Sequence, residues 1–218
     1  MEGKLLPDEI VSEYKSRAKK ARKSLLEKIP KVKLKPDNIA NCQLILNREN
    51  LLEYLPSNAC VAEIGVDRGE FSRKIFDSCR PQKLHLIDAW HTERYNDGLL
   101  EKVETSFSRE IQTKQVEINR GLSIEVVDSF QDDYFDWIYI DTSHDYITTK
   151  TELEAFSKKM KTNGIIAGHD YSMGNWVEMF KYGVIEAVHE FCVNYNWEMI
   201  FITADFTENQ SFAIRKIS

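Results

Sequence analysis

Two parts of the 218-residue sequence gather side chains that could do chemistry. In the first, Glu63-Ile64-Gly65-Val66-Asp67-Arg68-Gly69 follows a short apolar run. Glycine lets a backbone turn sharply and lets a ligand approach with no Cβ in the way. The spacing differs from the G-x-G-x-x-G that cradles a pyrophosphate, because Asp67 stands where a second glycine would fall. A carboxylate there opposes a phosphate and suits a cationic guest, such as a sulfonium with an amino-acid tail. Asp88 closes the next apolar run and offers two acceptor oxygens, enough for both hydroxyls of a ribose or for a helix cap. In the second part, Asp141 ends an apolar run, His144 follows three positions later, and His169-Asp170 end another run. An imidazole with a pKa of about 6.5 can take a proton near neutrality, so His144 is a candidate base for a hydroxyl acceptor. It could equally support a neighbour or cap a helix.

These residues need elements to hold them. Residues 7–29 read as a helix: Pro7, Asp8 and Glu9 open it, and lysines and arginines follow, as the helix dipole favours. Ile10, Tyr14, Ala18, Leu25 and Leu26 give it a partial apolar stripe, and Pro30 ends it. We therefore expect a basic helix and linker over 1–36 and one domain over 37–218. A short helix over 47–55 leads into strands at 59–64, 83–88, 115–119, 134–141, 164–168, 197–203 and 211–216. Helices at 71–79, 97–112, 145–161 and 182–195 separate them. Strands spaced by helices imply a parallel sheet covered on both faces. The link over 204–210 is too short for a parallel crossover, so the last strand must be antiparallel. The expectation is an α/β fold: a Rossmann-like seven-stranded, mostly parallel sheet with helices on both faces and an antiparallel last strand. Its ligands bind beyond the carboxyl ends of the strands.

Composition narrows the partners. The net charge is −6, split unevenly. Residues 1–35 carry eleven basic and five acidic side chains, and the rest carry 18 and 30, so the arm is +6 and the body −12. An acidic body argues against a nucleic-acid partner. The basic helix could join neighbouring subunits into a homo-oligomer or simply be a solvated face. Cys42, Cys60, Cys79 and Cys192 form no C-x-x-C pair, which suggests reduced thiols and a cytoplasmic location. No apolar run approaches the roughly 18 residues of a membrane span.

Five motifs in order carry a family resemblance. Ala62-Glu63-Ile64-Gly65-Val66-Asp67-Arg68-Gly69-Glu70-Phe71-Ser72 resembles motif I of the class I methyltransferases. Leu86-Ile87-Asp88-Ala89-Trp90, Phe135-Asp136-Trp137-Ile138-Tyr139-Ile140-Asp141, Asn163-Gly164-Ile165-Ile166-Ala167-Gly168-His169-Asp170-Tyr171 and Gly183-Val184-Ile185-Glu186-Ala187-Val188 follow. Together they are similar to the methyltransferase domain 24 group, related to macrolide-sugar O-methyltransferases, over about residues 40–218. The resemblance implies S-adenosylmethionine as cofactor. Glu63 and Gly65, in the loop with Asp67 and Gly69, would then line its methionine end, while Asp88 would hold the ribose. Trp90 would flank the adenine, and Ser123 would lie near it unless it is a helix N-cap. It also implies adjacent strand ends, so that Asp141, His169 and Asp170 converge as ligands of a divalent cation, with Asp141 beside the cofactor and His144 as base. An imidazole among the ligands favours manganese over magnesium.

The reading that follows is O-methylation of a small hydroxylated acceptor such as a sugar. Rivals are a nitrogen acceptor on the same fold, a catalytically lapsed cofactor-binding or scaffold protein, and an NAD-dependent oxidoreductase, which the glycine spacing disfavours. Residues 171–182, with Trp176, Met179 and Phe180, could form a lid or an ordinary surface segment.

Overall fold

The computed structural model describes residues 7–175, 177, 180–205 and 207–217. Trp176 and Met179 of the expected lid, and the Leu25 side chain of the expected stripe, lie outside the described residues. The chain divides into two units, Met1–Lys31 and Val32–Ser218. The first contains one helix, α1 (Asp8–Lys28), which starts after Pro7 with Asp8 and Glu9 in its first turn. Its i,i+4 pairs, Arg17–Glu13 and Lys23–Glu27, are exposed and contribute little.

The second unit is built on an eight-stranded sheet. In chain order its elements begin with β1 (Gln43–Ile45), α2 (Arg48–Tyr54), β2 (Cys60–Ile64), α3 (Glu70–Cys79) and β3 (Lys83–Asp88). Then come α4 (Asp97–Ser106), α5 (Ser108–Gln112), β4 (Val116–Arg120), α6 (Ser123–Val126), β5 (Phe135–Ile140), α7 (Tyr146–Phe156) and β6 (Met160–Gly168). A two-residue ribbon, β7 (Gly174–Asn175) with β8 (Phe180–Lys181), precedes α8 (Val184–Tyr195), β9 (Trp197–Thr203) and β10 (Phe212–Lys216). The strand order is β1-β9-β10-β6-β5-β2-β3-β4. Strands β2 to β6 are parallel, whereas β10 runs antiparallel to both β9 and β6. Val61, Ile64, Leu84, Leu86, Trp137, Ile138 and Tyr139 are all buried. Both faces of these central strands are therefore covered, and the strands read as continuous apolar runs rather than alternating ones.

The sequence expectation of seven strands misses β1. It is three residues long on the sheet edge, and Leu44 is 71% exposed, so no burial pattern marks it. The helix expected over 97–112 is two helices, broken at the buried Phe107. The helix expected over 145–161 ends at Phe156, and a single tight turn leads into β6 at Met160, which is buried and pairs in register with Phe135 of β5. Among the described residues, no helix is long and apolar enough to cross a membrane. All four cysteines are free thiols.

The chain runs outward from β2 through β3 to β4, then returns to β5 on the opposite side of β2. The crevice at this reversal, between the ends of β2 and β5, is where open α/β sheets bind ligands. Gly65 and Asp141 lie there.

Candidate active site

A cleft of about 800 Å³ opens beyond the carboxyl ends of the parallel strands. Its floor is the turn after β2. Gly65 has φ +89°, and a Cβ on it would stand 2.0 Å from the carbonyl oxygen of Asp141. Only glycine can bring β2 this close to β5. Asp67 also adopts a positive φ, and Gly69 completes the turn by donating its N–H to the Val66 carbonyl. Asp88 clamps the turn: its Oδ2 accepts from Val66 N at 2.9 Å and Asp67 N at 3.1 Å, and its Oδ1 from Trp90 N at 3.0 Å. Glu63, Gly65, Asp67 and Asp88 all line the cleft, and of the two Asp88 oxygens Oδ1, which accepts only one backbone bond, keeps a lone pair for a ligand.

Trp90 corrects an expectation. It is 1% exposed, belongs to the core, and is not part of the cleft wall. Its indole N–H donates to the Asp67 carbonyl at 2.8 Å, so it braces the turn from beneath. Ser123 lines the cleft but is not the N-cap of α6; that place belongs to Leu122, without a side-chain bond. Instead the Ser123 hydroxyl donates to Glu152 Oε1 at 2.5 Å, and Thr142 donates to Glu152 Oε2 at 2.7 Å. Burial pushes the Glu152 carboxyl up to about 7, against these two hydrogen bonds. Glu152 thus ties two walls of the cleft together. The sequence gives no sign of this, because an acid on a helix ordinarily faces water.

Burial also pushes the Glu63 carboxyl up to about 8, although the Ser72 hydroxyl donates to it. The nearby Asp141 charge adds to the rise.

At the opposite lip, His144 Nδ1 lies 2.8 Å from Asp170 Oδ2. Burial alone would lower the pKa of this imidazole, but the Asp170 carboxylate outweighs it and the net shift is upward. Asp170 itself would be raised by burial. Hydrogen bonds from His144 and His169 instead hold it well below the usual carboxylate range. The amide of Asn209 also donates to it, at 2.5 Å. His169 Nδ1 is 3.4 Å from Asp170 and 3.9 Å from Asp141, while its Nε2 is buried without a partner among the described residues. Asp141, His144 and Asp170 each offer a ligand atom within 4.8 Å of the others. The trio suited to a cation therefore contains His144 rather than the expected His169. Two carboxylates and an imidazole fit manganese or another transition metal better than magnesium. Tyr182 closes this end, its ring 4.5 Å from that of His144.

Arg48, at the start of α2, is a cleft residue that sequence reasoning passed over. It lies outside the motif region, and only the folding of α2 against the sheet brings it to Asp141, 3.7 Å away, and Glu208, 3.1 Å away.

The family model described as a methyltransferase domain matches residues 62–171, just over half of the chain. The chain belongs to this family, the methyltransferase domain 24 group, and is a class I S-adenosylmethionine-dependent methyltransferase. No curated protein matches it. Among solved structures it is similar to the pyocyanin biosynthetic protein PhzM, at 12% identity and a TM-score of 0.59, covering 79% of this chain and 55% of that one. It is also similar to the M1A22 tRNA methyltransferase TrmK of B. subtilis, at 14% identity and a TM-score of 0.56, covering 80% of this chain and 67% of that one. A third similarity is to cofactor-bound Rv0187 from MTB, at 14% identity and a TM-score of 0.59, covering 93% and 88%. At such identities these likenesses show the fold. The chain spans little more than half the length of the first.

Proposed function

We propose that this methyltransferase transfers the methyl group to a hydroxyl oxygen of a small hydroxylated acceptor such as a sugar. In this reading the cofactor's sulfur and methionine end lie against Glu63, Gly65 and Asp141, over the turn that Asp67 and Gly69 shape. Asp88 holds the ribose, and Ser123 borders the adenine. The observation that carries the choice of oxygen is the His144–Asp170 pair, 2.8 Å apart at the lip of the cleft. Asp170 binds Nδ1 and so fixes the tautomer with Nε2 as the free base. Nε2 takes the hydroxyl proton as the oxygen lone pair attacks the methyl carbon, and the C–S bond breaks to leave neutral S-adenosylhomocysteine. The protein must hold the three reacting atoms in line and exclude water; the activated donor does the rest.

Asp141, His144 and Asp170 would alternatively hold a divalent cation; His144 would then give its lone pair to the metal, and the lowered pKa of a coordinated hydroxyl would replace the base. A small acceptor agrees with the acidic body, which would repel a polyanion. The test is donor consumption against a panel of sugars and polyols. His144→Gln should lower turnover about 10²–10⁴-fold and leave S-adenosylhomocysteine affinity unchanged. Full activity in that variant on a hydroxyl acceptor would overturn the assignment.

A further inference from the structure

We propose that Arg48 receives the α-carboxylate of the cofactor's amino-acid tail and makes the protein discriminate against analogues that lack it. This rests on the cofactor placement given above. The tail is a zwitterion, so its end of the cleft must offer both a cation and anions. Carboxyl groups are plentiful there: Glu63, Asp141 and Asp170 all line it. Cations are scarce. Three arginines line the cleft. Arg68 is more than half exposed and pairs with Glu70 at 3.1 Å. Arg94 is exposed, its guanidinium over the Tyr95 ring. Arg48 is only 20% exposed, and it stands beside Asp141.

Its geometry suits a carboxylate. The guanidinium lies over the Phe71 ring, 4.6 Å from the centroid, which fixes its plane. Glu208 engages one nitrogen at 3.1 Å. Asp141, at 3.7 Å from Nη1, is beyond hydrogen-bond length. The Nε atom is buried without a partner among the described residues. Five N–H donors in a planar fork are thus incompletely used, in the arrangement that binds carboxylates most specifically. A ligand carboxylate taking the loose place beside Nη1 would free Asp141 to face the ligand's ammonium.

The test compares S-adenosylhomocysteine with its decarboxylated analogue by calorimetry, on wild type, Arg48→Gln and Arg48→Lys. Wild type should prefer the carboxylate-bearing ligand by about a hundredfold. Arg48→Gln should lose about ten- to hundredfold on that ligand and stay within about threefold on the analogue. Arg48→Lys keeps the charge without the fork, so its preference should be intermediate. Circular dichroism checks folding; if the glutamine variant does not fold, the lysine variant decides, and an undiminished preference there counts against the inference. Equal wild-type affinity for both ligands, or an intact preference in Arg48→Gln, overturns it. Wild type that binds neither ligand refutes the cofactor placement instead.

Discussion

S-adenosylmethionine carries a sulfonium and its demethylated product does not, so a buried carboxyl beside the sulfur must distinguish them through its own proton. Glu63 is that carboxyl in the proposed placement. Burial pushes it up to about 8, so at neutral pH it is mostly neutral. A unit charge about 4 Å away at an effective dielectric of about 20 is worth about 4 kcal/mol, or about three pH units of displacement. That is enough to ionise Glu63 when the sulfonium arrives. Binding S-adenosylmethionine therefore releases a proton below about pH 8, and binding S-adenosylhomocysteine does not. The ratio of the two affinities should rise with pH by up to about tenfold per unit from pH 6 and level off near 8. Calorimetry in two buffers of different ionisation heat counts the proton directly. Glu63→Gln keeps the shape and a partner for Ser72, so it should flatten the ratio, while any titration of the ligand's own amino group stays in both proteins. A flat ratio in wild type, or the same slope in Glu63→Gln, refutes the reasoning.

Gly65→Ala forces a side chain into a positive φ and against the Asp141 carbonyl, so it should lower stability by at least about 2 kcal/mol, read as a fall in Tm of roughly 5 °C or more. Asp170→Asn removes the anion that orients His144; turnover should fall at least about tenfold at pH 7, the His144 pKa should drop by NMR titration, and S-adenosylhomocysteine affinity should hold. Glu152 sits at about 7 when folded and near 4.5 when unfolded, so the stability it contributes is complete below pH 4.5 and lost as pH rises through about 7. Glu152→Gln should flatten that decline in urea titrations, and Glu152→Ala should cost about 1–3 kcal/mol by stranding the Ser123 and Thr142 hydroxyls.

The parallel strands were legible in the sequence because both of their faces are buried, which gives apolar runs that stop at the site residues Gly65, Asp88 and Asp141. Strand β1 was not, since an exposed three-residue edge strand leaves no pattern. The glycine spacing told against a pyrophosphate through Asp67 alone. Trp90 misled because position after a strand does not reveal whether an indole turns into the core, and here a positive φ at Trp90 turns it inward. Arg48 and Glu152 were invisible for a related reason. Each lies on a helix, and each acquires its role only where tertiary packing sets it against the cleft. His144 and Asp170 are 26 positions apart, yet the strand order brings them into contact.

The most direct test is a crystal structure with S-adenosylhomocysteine. The ligand is expected in the crevice between β2 and β5, with its sulfur over Gly65 and a ribose hydroxyl on Asp88 Oδ1. Ordered ligand bound elsewhere on the fold, or a ribose held by residues other than Asp88, would contradict this placement.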